Sequence, residues 1–267
     1  MRGKARLARA ALRPWRRCAD LVVRDRDGSV FTIPSLEEPI GLHLAADGVY
    51  EPELASFLRD HLRPGGVFVD VGANIGVFTV MAARMVGPSG RVVAIEASPR
   101  VYPYLEHNVR TNGLENVRLR HCAAAHEENP GIAFYEAPAS HFGMGALSPQ
   151  FHATPTPVAS HTLDRILAEE NVGPVDLVKL DVEGFEANVF RGAHRLLTSD
   201  SPPLIVFEFV DWAEARVATG RVGDSQRVLR EHGFTLWRLE DYVKNKPPLQ
   251  EILTEGFGMI VAARNVP

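Results

Sequence analysis

From about residue 50 onward, short apolar runs alternate with stretches of helical periodicity. "VFVDVG" is followed by "GVFTVMAARMV", "GRVVAIEA" by "RVYPYLEHNVRTNG", and "VDLVKLDV" by "GFEANVFRGAHRLL". In each pair the first run has the length and β-branched content of a buried strand. The second has apolar residues spaced for one face of a helix. Parallel strands need crossovers of a dozen or more residues, usually helical, and this order supplies them. The pattern predicts an α/β fold with a mostly parallel sheet covered on both faces. "EPELASFLRDHL" adds a helix with Pro52 in its first turn, where proline is tolerated. "NVRLRHCAAA" reads as a strand, "GIAFYEA" as a short one, and "TLDRILAEE" as a helix capped by Thr162. Further on, "PLIVFEFV", "FTLWRLE" and "FGMIVAA" read as strands and "DSQRVLREHG" as a helix. Residues 138–157, "PASHFGMGALSPQFHATPTP", read as a loop, and loops of that length are usually functional or mobile.

In such sheets ligands gather beyond the carboxyl ends of the strands, at a topological switch. The residues that close each strand are therefore the candidates. Asp70 closes "VFVD", and Gly72, Asn74 and Gly76 make a turn that leaves the backbone open to a ligand. Asn74 stands where a dinucleotide fold has the glycine that admits a pyrophosphate. Asp70 would repel that pyrophosphate but attract an ammonium or sulfonium. Glu96 closes the next strand, where a carboxylate can accept from the hydroxyls of a ribose. Either acid alone could be a helix cap or a solvated side chain. Together they suit a nucleoside with a cationic tail, and S-adenosylmethionine has both parts. Asp181 closes "VKLD", with Lys179 on the same side of the strand. Glu208 follows four apolar residues in "LIVFE", and a carboxylate at the end of a buried strand needs a partner or a ligand.

The chain has 267 residues, of which 45% are hydrophobic, enough for one large domain with small additions. A formal net charge of −4 excludes a polyanion binder by bulk charge, and no nucleic-acid partner is expected. Cys18 and Cys122 form neither a disulfide framework nor a metal-ligand spacing, which suits a reducing cytoplasm. No apolar run reaches the roughly 18 residues of a membrane-spanning helix. Residues 1–18, "MRGKARLARAALRPWRRC", carry seven Lys/Arg and no acid. Two readings of this tail stand. It is a plain basic extension, or a basic helix making weak contact with an acidic membrane surface or partner. "LVVRDRDGSVFTIP" reads as a hairpin turning at Asp27-Gly28. The expected organisation is a tail over 1–18, a hairpin region over 19–48 and the main domain over 49–267.

"YEPE", "PGGVFVDVGANIGVFTV", "VVAIEASP", "NVRTNG", "TLDRIL", "VDLVKLDVEGFEANVFRGA" and "LIVFEF" together resemble the FkbM-type family of S-adenosylmethionine-dependent methyltransferases. The resemblance runs from about Tyr50 to about Phe209. "DVGANIG" followed by "KLDVEGFE" at this distance is its specific part. It implies a Rossmann-like, seven-stranded class I methyltransferase sheet and methyl transfer, usually to oxygen, on sugars and natural products. It puts Asp70, Gly72, Ala73, Asn74 and Glu96 at the cofactor, Ala123 near the adenine and Asp181 beside the transferred methyl. The loop 138–157 matches no family pattern.

The acceptor side is read from the residues. Asp181 is the first candidate to take a proton from an attacking hydroxyl, with His141 the second and cofactor orientation an alternative role for Asp181. Glu208 is a candidate for the acceptor substrate. No metal ligand set is expected, since no pair of acids with a histidine has the spacing; a divalent ion on Asp181 and neighbouring acids is the open alternative. "SPPL", residues 201–204, is similar to the N/D-P-P-Y/F motif of amino-group methyltransferases. It has Leu204 in place of the aromatic, and it precedes a strand instead of closing one, which favours oxygen as acceptor. Two other classes stay open: a NAD-dependent oxidoreductase, against which Asp70 and Asn74 count, and a non-catalytic cofactor-binding scaffold.

Overall fold

The computed structural model describes residues 13–15, 18–149, 154–217 and 221–264. The basic tail therefore lies almost wholly outside the described residues, as does His152, the other loop histidine that could serve as a base. The hairpin forms where the turn pair predicts it. Strands β1 (Leu21–Arg24) and β2 (Val30–Ile33) pair antiparallel, and Gly28 takes φ 83°. Helix α1 (Pro39–Asp47) follows, in a segment where periodicity predicts none. Local chemistry explains it. The Glu38 carboxylate accepts from the Gly41 N–H at 3.0 Å, Pro39 opens the helix, and Gly48 ends it in the left-handed region.

The alternation then unfolds as α2 (Pro52–His61), β3 (Val67–Val71), α3 (Val77–Val86), β4 (Arg91–Glu96), α4 (Tyr102–Thr111) and β5 (Val117–His121). The run "NVRLRHCAAA" is not one strand. It breaks at Cys122, and β6 (Ala123–Ala124) joins β7 (Asn129–Phe134) and β8 (Thr156–His161) in a separate sheet of order β6-β8-β7. Strand β8 takes the last two residues of the expected loop. Next come α5 (Leu163–Glu169), β9 (Leu177–Leu180), α6 (Glu186–Arg191) and α7 (His194–Leu197). The single helix expected over "GFEANVFRGAHRLL" is thus two. A Cβ on Gly192 would lie 2.0 Å from the Ala125 carbonyl oxygen, and Asp164 accepts from the N–H groups of Arg195 and Leu196 to start the second piece. The chain closes with β10 (Leu204–Val210), α8 (Asp211–Glu214), α9 (Asp224–Glu231), β11 (Thr235–Arg238), α10 (Leu239–Val243) and β12 (Phe257–Ala263).

Seven strands form the central sheet in the order β11-β12-β10-β9-β3-β4-β5. All neighbours from β10 to β5 are parallel, and β12 runs antiparallel to both β10 and β11. This is the expected class I methyltransferase sheet. Each face carries a hydrophobic layer. Phe57, Leu58, Phe68, Phe78, Val80 and Leu105 lie in one. Val69, Val71, Val178, Leu180, Phe190 and Phe207 lie in the other. Because side chains alternate along a strand, Asp70 shares the face of Phe68, and Lys179 that of Leu177. Glu96 follows Ala94, and Glu208 follows Val206. Four ionisable side chains thus point to the same side of the sheet.

Two asparagines fix the hairpin to this scaffold. Asn108 accepts from the Thr32 N–H at 2.8 Å and donates to the Thr32 and Ile75 carbonyls at 3.1 and 2.8 Å. One turn on, Asn112 accepts from the Val30 N–H at 3.0 Å and donates to the Val30 carbonyl at 2.7 Å. Their amides, on one face of α4, stand in for a neighbouring strand beside β2. Asn108 is fully buried, so Asn108→Ala leaves three backbone groups short of a partner. The expected loss is about 2–4 kcal/mol in urea denaturation. A loss below about 0.5 kcal/mol would show that the hairpin is not held this way.

Candidate active site

The sheet order reverses at β3, whose chain neighbour β4 lies on one side and β9 on the other. A cavity of about 240 Å³ opens there, lined by the turn after β3, the ends of β4, β9 and β10, and the loop around residues 143–147. Of the expected site residues, Gly72, Ala73, Asn74, Glu96, Ala123, Asp181 and Glu208 line it together.

The turn is held from below and from the side. The N–H groups of Gly72 and Ala73 both donate to the Ile95 carbonyl, at 2.9 and 3.0 Å. Gly72 has φ 73°, and a Cβ there would lie 1.8 Å from the Asp181 carbonyl oxygen, so no other residue fits where β3 and β9 end. Asn74 has φ 52° and donates its N–H to Glu96 at 2.8 Å. The other Glu96 oxygen accepts from the Ser98 N–H, also at 2.8 Å. Burial raises the Glu96 pKa to about 7 against these two bonds. A carboxylate has about four acceptor directions, so two remain for vicinal hydroxyls at this 8% exposed group. Beside it Ala97, Ala123, Phe134 and Leu147 form an apolar patch that suits a flat base. Cys122 adjoins it, and burial pushes its thiol up to about 11, so it acts as a small apolar group. This wall fits an adenosine.

Asp70 departs from expectation. It does not line the cavity. Sharing the face of Phe68, it points at α3 and is fully buried. The Thr79 hydroxyl donates to it at 2.6 Å, and the Lys179 Nζ lies 3.5 Å from its other oxygen. Burial pulls its carboxyl upward, and Lys179 and Thr79 oppose this. Lys179 is the residue the sequence left without a role. It is 3% exposed and pairs in register with Asp70. Its Nζ donates to the Gly72 carbonyl at 2.9 Å and lies 3.6 Å from Asp181. Burial opposes its charge, but Asp181, Asp70 and Glu51 outweigh that and hold the ammonium above its ordinary range. The register that pairs two strand ends cannot be read from either strand alone, which is why this contact was not foreseen.

His141 is not brought to the site. It is exposed on the short 3-10 turn Ala139–His141, with the Ser140 hydroxyl 2.9 Å from its Nδ1, and it does not line the cavity. The loop beyond it does reach the site. A bridge between Tyr135 and Ala146 anchors that loop, and a Cβ on Gly143 would lie 2.0 Å from the Asn74 Nδ2. Tyr50 and Glu51, from "YEPE", also line the cavity. Three of the six non-glycine residues with positive φ among the described residues are on this wall: Glu51, Asn74 and Glu183. Such backbone persists where its surroundings over-determine it, commonly at active sites.

Opposite the turn, Asp181, Glu183 and Glu208 each bring a carboxylate oxygen within 4.8 Å of the others, a spacing that can hold a proton or a cation. Burial first, then Asp181, Glu183, Glu186 and Glu51, push the Glu208 pKa up to about 10. The unfolded chain releases this proton near 4.5, so the folded state holds an extra proton between the two values. The stability Glu208 contributes is full below about pH 4.5 and is lost as pH rises toward 10. Glu208→Gln stays neutral. It should match the wild type near pH 5 and exceed it by about 2–4 kcal/mol at pH 8.5 in urea denaturation. Parallel pH profiles would show that Glu208 ionises normally.

The chain is 26% identical over 215 residues to the 31-O-demethyl-FK506 methyltransferase FkbM of Streptomyces tacrolimicus, covering 67% of this chain and 76% of that one. It is 39% identical over 61 residues to a protein-L-isoaspartate O-methyltransferase of Caenorhabditis elegans, covering 23% of this chain and 27% of that one. The structure of precorrin-6y C5,15-methyltransferase from Geobacter metallireducens GS-15 superposes with a TM-score of 0.47 at 15% identity, covering 81% of this chain and 90% of that one. Residues 70–236, more than half the chain, match the methyltransferase FkbM domain, and the chain belongs to this family of S-adenosylmethionine-dependent methyltransferases.

Proposed function

We propose that the protein methylates a hydroxyl oxygen of a sugar or small natural product. The observation that carries this reading is the convergence of Asp181 and Glu208 on the cavity that the glycine turn and Glu96 also line. The Streptomyces tacrolimicus relative, named for an O-demethylated natural product, supports it. So does the position of "SPPL", whose Leu204 begins β10 instead of closing β9.

In this reading Glu96 receives the ribose hydroxyls, Ala123 lies beside the base, and Gly72, Ala73 and Asn74 form the wall between them. S-adenosylmethionine supplies an activated methyl on a sulfonium, so the protein contributes position and exclusion of water. Asp181, whose side chain is 29% exposed, faces the reacting centre and accepts the proton of the acceptor hydroxyl. Glu208 keeps its own proton at neutral pH and holds the acceptor by donating a hydrogen bond. Asp70 acts through Lys179 as a positioning residue. His141 takes no direct part.

A screen of hydroxylated metabolites with methyl-labelled cofactor, read by mass spectrometry, tests the proposal. Label is expected on oxygen, and label on nitrogen or carbon would overturn it. With an acceptor in hand, Asp181→Asn should lower the saturating rate by roughly 10²–10⁴-fold with cofactor affinity little changed. A fall in affinity with the saturating rate retained would make Asp181 an orienting residue instead.

A further inference from the structure

The sequence assigns the cationic tail of the cofactor to Asp70, and the structure gives that carboxylate other partners. Asp70 is engaged by Thr79 and Lys179, behind the cavity. The Gly72 carbonyl, the next acceptor at the turn, is engaged by the Lys179 Nζ at 2.9 Å. An ammonium brought up to Gly72 would face another ammonium there. A ligand with a positive tail must find its acceptor elsewhere on this wall.

The sheet order says on which side to look. The apolar patch at Ala123 and Phe134 and the Glu96 carboxylate lie toward β4 and β5, with Gly72 at the end of β3. A nucleoside laid with its base and ribose on those groups sends its 5′ tail across Gly72 toward the ends of β9 and β10. The cavity wall there includes Glu51. Glu51 precedes α2 with φ 41° and ψ 70°, and its side chain does not cap the helix. Left-handed backbone at a non-glycine residue persists where its surroundings over-determine it, commonly at functional sites. Its hydrogen-bonding neighbour is the Tyr50 hydroxyl. Burial and the nearby Asp181 charge push the Glu51 carboxyl upward, and Lys179 opposes this. A cationic ligand would offset both by stabilising the ionised carboxylate.

We propose that Glu51 receives the α-ammonium of the amino-acid tail of S-adenosylmethionine, in place of Asp70 and the Gly72 carbonyl. The proposal rests on the methyl-donor reading and names a contact that reading leaves open. Lys179 then has a selective effect. It holds the Gly72 carbonyl at 2.9 Å and lies 3.5 and 3.6 Å from Asp70 and Asp181, and so engages those acceptors ahead of Glu51.

The test uses two ligands and two proteins in calorimetric titrations. S-adenosylhomocysteine carries the ammonium. Its des-amino analogue, S-(5′-adenosyl)-4-mercaptobutyrate, keeps the nucleoside, thioether and carboxylate and lacks only that group. The wild type should bind S-adenosylhomocysteine about ten- to a hundredfold more tightly than the analogue, the range of one charged hydrogen bond. Glu51→Gln should shrink the ratio to about threefold or less, with affinity for the analogue nearly unchanged. A wild type that does not discriminate, or a variant that discriminates as well as the wild type, overturns the proposal. Loss of both ligands together in a folded variant also overturns it, because Glu51 would then only shape the site. If Glu51→Gln does not fold, Glu51→Ala carries the same expectation. A wild type that binds neither ligand would instead overturn the methyl-donor reading beneath the proposal.

Discussion

One buried ammonium organises the crevice. Lys179 reaches the Gly72 carbonyl, Asp70 and Asp181 from a position that is 3% exposed. These groups come from two strands that are neighbours in space and more than a hundred residues apart in the chain. Asp70, fully buried, would be costly there without a counter-charge. With it, the end of β3 and the end of β9 are tied together, and the turn that lines the cavity is held by the same atom that lies beside Asp181. The contact with Gly72 sets a steric requirement as well, since a side chain at that residue would collide with the Asp181 backbone.

Beyond this centre the cavity is strongly acidic on one side and apolar on the other. Glu51, Asp181, Glu183 and Glu208 line one wall, and Ala97, Ala123, Phe134 and Leu147 the other. Burial and mutual repulsion keep a proton on Glu208 at neutral pH. The wall therefore offers both hydrogen-bond donors and acceptors although every side chain in that group is an acid. A protonated carboxyl among other carboxyls can handle a hydroxyl group without a histidine. It gives a physical reason why a catalytic role need not fall to His141, which the fold leaves on an exposed turn.

Much of this was legible in the sequence. The strand and helix alternation sufficed for the sheet, and Glu96, Asp181 and Glu208 at strand ends and Asn74 in the turn reach the cavity as expected. What was not legible depended on register and on local capping. Asp70 lies on the carboxyl end of β3, but its period-two position points it at α3. Lys179 looks like an isolated lysine until β9 is set beside β3. Helix α1 arises from Glu38, Pro39 and Gly48, not from an apolar stripe. Glu51 stands at the start of a predicted helix and within the family pattern, and its left-handed backbone is a property of the folded chain. The loop at residues 143–147 carries no periodic signal, yet its glycines pack against Asn74 and Phe134 and bring it over the site.

The central claim is that Lys179 is the counter-charge on which the crevice depends, and a pair of variants tests it directly. Lys179→Met keeps the length and removes the charge, leaving Asp70 buried without a cation. Urea denaturation should show a loss of about 3–5 kcal/mol, and S-adenosylhomocysteine binding should weaken. Adding Asp70→Asn to the same protein should return most of the lost stability, because the uncompensated charge is gone. If Lys179→Met is as stable as the wild type and binds S-adenosylhomocysteine equally well, the ammonium does not hold the site together and the account is contradicted.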